Sequence, residues 1–322
     1  MNHIKTLQQA IQYFSDEQTC IDAVAKMRWP DGKPTCPACG HQDHYYLKSQ
    51  KRWKCKECWK QFSVKVGTIF EDSPIPLNKW LLAMWMLGNC KNGVSSYEIH
   101  RAIGVSQKCG WFMLQRIRLA MKPADSMVGG EGSIVEADET AIGGKLKNMH
   151  ASRKARMGMA GSGGHQRNKT IVMGVKDREA SEVRATVIPF AQRETMLGMV
   201  KSHVKPGSTM YTDAHVGYDH VRNHFPHEVI NHMEAYVRGK VHTNGIENFW
   251  SLLKRGLHGT YVSVEPFHLF RYVDEQVFRF NNRATKDRKI NDGDRFRMIL
   301  SQVAGKRLTW AEVTGKEGET SF

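Results

Sequence analysis

Three acidic residues stand where a catalytic metal site could form. Asp138 lies late in one predicted strand, Asp213 ends another, and Glu247 opens a predicted helix. Carboxylate oxygens suit Mg²⁺ or Mn²⁺ better than sulfur or imidazole ligands would. Two such ions can activate a nucleophile and stabilise a leaving oxygen at phosphorus. The trio therefore predicts metal-dependent phosphoryl chemistry at Asp138, Asp213 and Glu247.

Each of these acids also has a structural alternative. Glu136 lies on the same strand face as Asp138 and could replace it as a ligand, although we favour Asp138. Asp213 could act as the N-cap of a following helix. Glu247 could complete a capping box whose N-cap is Asn244. The sequence alone leaves these alternatives open.

The net charge points to a polyanionic partner. The chain has 47 Lys and Arg against 32 Asp and Glu, which gives a formal charge of +15 and a pI near 9.5. Basic residues that neutralise phosphates release condensed counterions, so nucleic acid is the expected partner. Lys254 lies two helical turns, roughly 10 Å, beyond Glu247. Glu247 could then bind a metal ion while Lys254, with Arg255 beside it, binds phosphates of the same stretch of DNA.

Four of the seven cysteines form a metal-ligand pattern. Cys36 and Cys39 make one Cys-x-x-Cys pair, and Cys55 and Cys58 make another after fifteen intervening residues. This spacing is typical of a structural zinc site in which four thiolates surround Zn²⁺. Unligated cysteines or cytosolic disulfides would not explain the two pairs. The aromatic and basic residues between them favour a short β-ribbon with a DNA-facing side.

A second DNA-binding element is predicted after the ribbon. Residues 95–106 indicate a short helix and a turn that contains Gly104, and residues 107–119 indicate a longer helix. This arrangement resembles a helix-turn-helix, and the alternative is a plain helical hairpin packed on the next domain. The longer helix would contact DNA through four residues: Lys108, Gln115, Arg116 and Arg118.

A strongly basic segment follows the first catalytic acid. From Lys145 to Lys169 there are seven Lys or Arg and no acid, which favours a flexible loop that orders on DNA over a merely solvated one. Its glycine-rich part is not a nucleotide-binding phosphate loop, because it precedes a strand instead of following one. The residues predicted to contact DNA are Lys145, Lys147, Arg153, Lys154, Arg167 and Lys169.

The remaining pattern predicts a mixed sheet. A glycine-rich break at residues 127–132 marks the main domain boundary. Strands and helices alternate after it, as in a sheet covered by helices. The predicted strands are 133–139, 170–176, 182–189, 208–213 and 228–231, and the predicted helices are 192–203, one after Asp213, 245–257, 266–282 and 297–303. No apolar run approaches the roughly 20 residues of a membrane span, and no signal peptide is apparent, which predicts a cytoplasmic protein.

Long motifs identify a resemblance. Besides the cysteine ribbon, residues 136–145 read EADETAIGGK and residues 242–256 read HTNGIENFWSLLKRG. With the segments 212–215 and 271–283, they make the chain similar, over nearly its whole length, to a DDE transposase of the bacterial insertion sequence family 1595. The resemblance implies an RNase H-like domain in which Asp138, Asp213 and Glu247 bind Mg²⁺ or Mn²⁺ and Lys254 is the associated basic residue.

The expected fold class is multi-domain, α+β and α/β. Residues 1–73 would contain the zinc ribbon at about 33–66, and 74–127 would form the helix-turn-helix-like segment. Residues 128–285 would form the RNase H-like catalytic domain with its mixed sheet. Residues 286–322 would dock on that domain as a C-terminal helix and tail.

The resemblance implies a function with two alternatives. The protein would bind the terminal inverted repeats of its element, cleave at the ends and join the 3′ ends to target DNA. Synapsis of two ends would require a homodimer or larger assembly on double-stranded DNA, associated with the nucleoid and not with a membrane. The alternatives are a non-catalytic DNA-binding regulator and an RNase H-like nuclease that only hydrolyses.

Overall fold

The computed structural model describes residues 4–123, 126–144, 148–156, 169–230 and 242–316. The chain divides into two compact units, which differ in the kind of core they build. The first unit combines Met1–Lys122 with Asn282–Phe322, and the second is Pro123–Asn281. Among the described residues, no helix is both long and apolar enough to cross a membrane. Helices and strands are numbered below in chain order.

The first unit is mainly helical. Several of its helices begin at capping boxes. In a capping box the N-cap side chain accepts from the backbone amide three residues later, and the side chain of that later residue accepts from the N-cap amide. Thr6, Ser95, Asn291 and Thr309 make such caps. The helices are α1 (Leu7–Tyr13), α2 (Glu17–Arg28), α3 (Leu77–Asn89), α4 (Ser96–Ile103), α5 (Gln107–Met121), α10 (Asp292–Leu300) and α11 (Trp310–Val313).

A small antiparallel sheet completes the first unit. Its strands are β1 (His44–Leu47), β2 (Arg52–Cys55) and β3 (Gln61–Phe62), in the order β1-β2-β3. One face is aromatic, because Tyr46 and Trp53 pair across β1 and β2, and the Trp53 ring stacks on a β3 ring 5.9 Å away. This is the predicted short β-ribbon, with β3 following the second cysteine pair.

Helices α4 and α5 have the predicted helix-turn-helix order, but α5 presents a different face from the one expected. Helix α4 ends at Gly104, whose φ of 62° is left-handed, and α5 follows a Ser106 N-cap. Gln115, Arg116 and Arg118 are each at most 5% exposed. Their predicted contacts with DNA are therefore wrong.

Arg116 shows why a basic residue can be buried in α5. Its guanidinium donates to the backbone carbonyls of Ile69, Glu71 and Leu308 at 2.7–3.1 Å. These carbonyls lie in two segments far apart in the sequence, so Arg116 links them through three of its five N–H donors. Of the four predicted contact residues on α5, Lys108 alone is exposed.

The C-terminal segment belongs to the first unit, and its predicted docking on the catalytic domain is wrong. Phe296 of α10 is 1% exposed, and its ring lies 5.4 Å from Phe14 and 5.5 Å from Trp85. Trp310 of α11 contacts Trp111, with ring centroids 5.8 Å apart. Burying an aromatic side chain such as Phe296 contributes about 1.5–3 kcal/mol, which explains the preference for this aromatic surface.

The second unit is built on a mixed five-stranded sheet. Its strands are β4 (Ile134–Ile142), β5 (Thr170–Asp177), β6 (Val183–Ile188), β7 (Thr209–Asp213) and β8 (His227–Ile230). Their order in the sheet is β6-β5-β4-β7-β8, with β4, β5 and β6 antiparallel and β4, β7 and β8 parallel. The helices of this unit are α6 (Ala151–Arg156), α7 (Arg193–His203), α8 (Asn244–Gly256) and α9 (Leu269–Asn281). The predicted mixed α/β architecture is confirmed.

Helices cover both faces of this sheet. Met173 and Val175 of β5 join the core that contains Met196 of α7. Val172, which precedes Met173 and points to the opposite face, joins the core that contains Phe249 of α8. Because neighbouring strand residues point to opposite faces, the apolar run of β5 supports both cores.

Several elements differ from the sequence-based prediction. Helix α6 lies within the segment predicted to be a flexible basic loop, and α10 begins five residues before the predicted helix 297–303. The segment after Asp213 forms only short 3₁₀ turns at Val216–Tyr218 and Val221–Asn223, where a helix was expected. Helix α8 begins one residue early and continues into a π-helical turn at Leu257–Tyr261. The start of α8 bears directly on Glu247.

Candidate active site

Strand register determines where two of the three acids lie. β4 and β7 pair in parallel from Ile134 and Thr209 to Glu136 and Tyr211. Continuing the same offset by two residues places Asp138 level with Asp213. Active sites of open α/β sheets gather at the carboxyl ends of parallel strands, and β7 ends at Asp213.

Asp138 lies in a buried, acidic environment. Burial raises its pKa to about 7, and the negative charges of Glu139 and Asp213 add to this effect. The indole Nε1 of Trp250, on α8, donates to Asp138 Oδ2 at 3.0 Å. The helix therefore orients the carboxyl group, but this hydrogen bond does not outweigh the effect of burial on its pKa.

The contact between Trp250 and Asp138 depends on a glycine in the neighbouring strand. Gly174 of β5 is the register partner of Asp138. A Cβ at Gly174 would lie 2.8 Å from Cη2 of Trp250, a distance too short for a real contact. A glycine inside a strand marks such a close approach, and here it makes room for the indole ring.

Glu136 holds the start of α8. It is 1% exposed, its Oε1 accepts from Arg178 Nε at 2.6 Å, and its Oε2 accepts from the backbone amide of Ile246 at 2.8 Å. A Cβ at Gly245 would lie 2.7 Å from Glu136 Oε2, so the helix could not approach this closely with a larger residue. Glu136 is thus occupied by structural contacts, which favours Asp138 as the available acid.

Glu136 and Asp138 together fix α8 on the sheet. The two acids share one face of β4, and their partners on the helix, Ile246 and Trp250, are four residues apart. Residues at that spacing share one face of a helix. Because Glu247 lies between Ile246 and Trp250 on α8, the contacts of these two residues with β4 also determine its position.

Glu247 is not part of a capping box. The N-cap of α8 is Thr243, without a side-chain cap, so the predicted N-cap at Asn244 is wrong. Glu247 Oε1 accepts from the Thr243 hydroxyl at 3.0 Å, and the side chain is exposed. The apolar face of α8, including Phe249 and Leu253, is buried, so Glu247 lies on the face that remains accessible.

An open cleft brings the predicted residues of β4 and α8 together. Asp213 does not line it, but the charge of Asp213 raises the pKa of Asp138 and of Glu139. Arg255 is exposed on α8 without lining the cleft. The lining residues are Asp138, Glu139, Thr140, Glu247, Trp250, Ser251 and Lys254.

Glu139 was missed as a site residue by the sequence reasoning. Burial is the largest cause of its raised pKa, and the charge of Asp213 adds to the shift. The Tyr218 hydroxyl donates to its Oε2 at 2.7 Å and opposes the shift. His215 Nδ1 lies 3.8 Å from its Oε1. The signal in the sequence was only its position next to Asp138.

The acidic site has the donors that a divalent cation prefers. Asp138, Asp213 and Glu247 supply carboxylate oxygens, and a bound cation would offset the cost of burying the Asp138 charge, which raises its pKa most, and the repulsion from Glu139 and Asp213, which adds to it. Asp213 Oδ1 accepts from the amide of His215 at 3.0 Å, and His215, not Asp213, caps the following turn. Within the described residues, the acids are not gathered into a closed ligand cluster.

The four cysteines do form a closed cluster. Their sulfur atoms all lie within 4.8 Å of one another, with Cys36 and Cys58 at 3.6 Å and Cys39 and Cys55 at 3.5 Å. A tetrahedron with Zn–S bonds of about 2.3 Å has sulfur atoms roughly 3.8 Å apart. The sulfur positions therefore fit a structural zinc ion.

The remaining residues predicted to contact DNA differ in their surroundings. Lys254 and Arg255 are exposed, whereas Lys154 and Lys169 are half-buried. Lys108 places its Nζ 4.5 Å from the centre of the Trp310 ring. Lys145, Lys147, Arg167 and the side chain of Arg153 lie outside the described part of the chain.

The mixed sheet, the acidic cleft and the four-cysteine cluster lie within residues that match transposase domains, so the protein is of the transposase class. Residues 128–281 match the ISXO2-like transposase domain, and residues 15–61 match the transposase zinc-ribbon domain. The chain belongs to the insertion sequence 1595 family of transposases.

Two relatives are similar to the chain. One is an uncharacterized protein in transposable element ISH50 of Halobacterium salinarum, 27% identical over 256 residues that cover 77% of this chain and 85% of the relative. The other is an uncharacterized transposase-like protein of Haemophilus influenzae, 35% identical over 106 residues that cover 33% of this chain and 85% of the relative.

Proposed function

We propose that this transposase cleaves DNA at the ends of its insertion sequence and joins the freed 3′ ends to target DNA. The observation that carries the proposal is the cleft in which Asp138, Glu247 and Lys254 meet, with Asp213 close enough to raise the pKa of Asp138. This cleft lies within the residues that match the transposase domain.

Asp138, Asp213 and Glu247 are the proposed ligands of Mg²⁺ or Mn²⁺. Bound ions of this kind activate a water or 3′-hydroxyl nucleophile and stabilise the leaving oxygen. Asp138 gains most from a cation, because burial penalises its charge, and Trp250 keeps its carboxyl group oriented. Lys254 would hold a phosphate of the DNA strand in the cleft.

Double-stranded DNA is the proposed partner, as terminal inverted repeats and as target. The zinc ribbon and the exposed Lys108 of α5 are the proposed contacts in the first unit, and Lys254 and Arg255 those in the second. Joining two element ends in one reaction requires both ends to be held together, which predicts a homodimer or larger assembly on DNA. The protein would then act at the bacterial nucleoid.

A joining assay tests this function. Full-length zinc-loaded protein, Mg²⁺, labelled element ends and a target plasmid should give covalently joined products. Hydrolysis without joining would instead support an RNase H-like nuclease. DNA binding with no cleavage would support a non-catalytic regulator.

Three substitutions connect the assay to the proposed ligands. Asp138→Asn, Asp213→Asn and Glu247→Gln should each abolish joining while DNA binding is retained. Glu194→Gln removes an exposed acid of α7 and serves as the matched control, with joining unchanged. Full activity of any of the first three variants would remove that residue from the proposed ligand set.

A further inference from the structure

The zinc ribbon has an outward face that its aromatic core does not explain. Tyr46, Trp53 and Phe62 occupy the inner face, whereas Tyr45 and Lys54 are register partners on the other face. Tyr45 is 52% exposed. We call the surface formed by Tyr45, Lys54, Lys56 and Trp59 the outer ribbon face.

The two cysteine pairs turn in the same way but use different residues. Gly40 follows the first pair with φ of 77°, and Trp59 follows the second pair with φ of 60°. Both values are left-handed. Glycine adopts this conformation without steric cost, whereas a side chain with a Cβ is strained there. The turn by itself would therefore favour glycine at position 59.

Burial does not explain the tryptophan at position 59. The side chain is 60% exposed, among the most exposed large hydrophobic residues of the described chain. A strained residue persists where something else determines its identity. Because the indole contributes little to the core, its role is best explained by a molecule outside the protein.

Cations accompany both exposed rings of the outer ribbon face. Lys54 Nζ lies 5.1 Å from the centre of the Trp59 ring, and Lys56 Nζ lies 5.1 Å from the centre of the Tyr45 ring. Residues 52–60 contain four Lys or Arg and one acid, Glu57. Flat rings beside positive charges match a ligand that has both aromatic bases and phosphates.

We propose that the outer ribbon face binds DNA at unstacked bases, with Trp59 stacked on a base and Lys54 and Lys56 at the adjoining phosphates. In an intact duplex, proteins reach base edges in the grooves, while the base faces are covered by neighbouring pairs. Stacking on the indole therefore requires a single-stranded, frayed or distorted site. This inference rests on the proposed function, in which cleavage creates DNA ends.

Binding of two DNA forms tests the inference. Full-length zinc-loaded protein is titrated into a fluorescein-labelled single-stranded 20-mer and into the same sequence as a duplex, with anisotropy as the signal. Trp59→Gly should weaken single-strand binding by about tenfold, the loss expected for one stacked base. Trp59→Phe should retain most of the affinity, because it keeps an aromatic ring.

Controls separate stacking from a structural role. Trp59→Gly relieves the backbone strain, so its zinc content should be unchanged and its melting temperature should not fall. Phe190→Ala removes a ring that is 63% exposed and lies outside the ribbon, and single-strand binding should be unchanged. Loss of zinc together with loss of binding in Trp59→Gly would assign the indole to the fold and overturn the inference.

Two other outcomes would also overturn it. Unchanged single-strand binding in Trp59→Gly would show that no base stacks there, and an equal loss for duplex and single strand would show that the ring contacts intact DNA. Wild-type joining activity, measured on the same preparation, distinguishes these failures from failure of the transposase function. If the wild type joins DNA but Trp59→Gly binds single-stranded DNA with normal affinity, the inference is overturned while the proposed function is retained.

Discussion

The zinc ribbon and the acidic cleft differ in how their ligands are assembled. The four cysteines come from 23 consecutive residues, Cys36–Cys58, and their sulfur atoms already lie within 4.8 Å of one another. The three acids come from β4, β7 and α8, and they do not form such a cluster among the described residues. Short-range spacing assembles the first site, whereas strand register and helix docking assemble the second.

The two sites also differ in what their ligands do for stability. A ribbon of three short strands buries few residues, so metal binding supplies most of its folding free energy. The acidic cleft lies on a sheet with apolar cores on both faces, and burial of Asp138 opposes folding through its charge. The cysteines are thus expected to stabilise the ribbon through the metal, whereas burial of the Asp138 charge lowers the stability of the second unit.

Removing a cysteine ligand should have the largest effect. Cys55→Ser leaves three thiolates, so the protein should lose bound zinc and the ribbon should unfold. Zinc content and hydrogen exchange of residues 44–62 measure this loss. Cys109→Ser, which changes an exposed cysteine outside the cluster, should retain zinc. A Cys55→Ser protein with a full zinc complement would show that the ribbon does not depend on four thiolates.

Removing Asp138 should have the opposite effect on stability while abolishing activity. Asp138→Asn should lower joining by about 100-fold or more, as loss of a charge-stabilising group does. The Asn amide oxygen can still accept from Trp250, so the fold should be retained. Without added metal, the variant should be more stable than the wild type at pH 8, by up to ~4 kcal/mol.

The pH dependence of that stability difference follows from the pKa of Asp138. Its folded-state pKa of about 7 exceeds the ordinary 3.8, so the folded protein binds more protons between these values. Wild-type stability should therefore fall as pH rises from 4 to 7, and the advantage of Asp138→Asn should vanish near pH 4. Thermal melts at pH 4, 6 and 8 check this, and an advantage that is constant with pH would contradict it.

Breaking the contact between β4 and α8 tests whether tertiary structure assembles the cleft. Glu136→Gln leaves Arg178 without its buried carboxylate partner and should cost about 3 kcal/mol of unfolding free energy. Joining should fall because Glu247 is no longer held in place, while zinc content is unchanged. Denaturant unfolding and the joining assay measure both effects. Normal joining by a destabilised variant would separate Glu136 from the site.

The smallest expected effect distinguishes two neighbouring cations. Lys254 lines the cleft and Arg255 does not, although both are exposed. Lys254→Ala should lower joining by about tenfold, as for one lost charge-assisted contact to phosphate. Arg255→Ala should have a weaker effect, and neither should change the melting temperature. Equal losses in the two variants would indicate a general electrostatic contribution instead of a specific contact.

Much of the second unit could be predicted from its sequence. All five predicted strands are present, with ends that shift by at most a few residues, because apolar strand segments are bounded by glycine, proline and polar residues. The helix expected after Asp213 was wrong because its polar, histidine-rich segment carries only a weak helical pattern. The capping box at Asn244 was wrong because a single-residue shift of the helix start changes every cap position.

The basic residues of α5 were harder to predict. Arginine is usually exposed, so a helix with Arg116 and Arg118 favours a DNA-facing surface. The structure instead buries Arg116 against three carbonyls, one of them at Leu308, almost 200 residues away. No local pattern encodes a partner so distant. The same long-range packing placed the C-terminal helices in the first unit.

The sequence by itself determined the four cysteine ligands, the strands and the three candidate acids. Each is recognised from a short stretch of chain, by the spacing of residue types or by the alternation of apolar and polar residues. Only the tertiary structure decided that Glu136 holds α8 while Asp138 faces the cleft, that Gly174 admits Trp250, and that Arg116 is buried. The physical reason is that burial, charge and hydrogen-bond partners of a side chain depend on neighbours that are distant in sequence, and these neighbours exist only once the chain has folded.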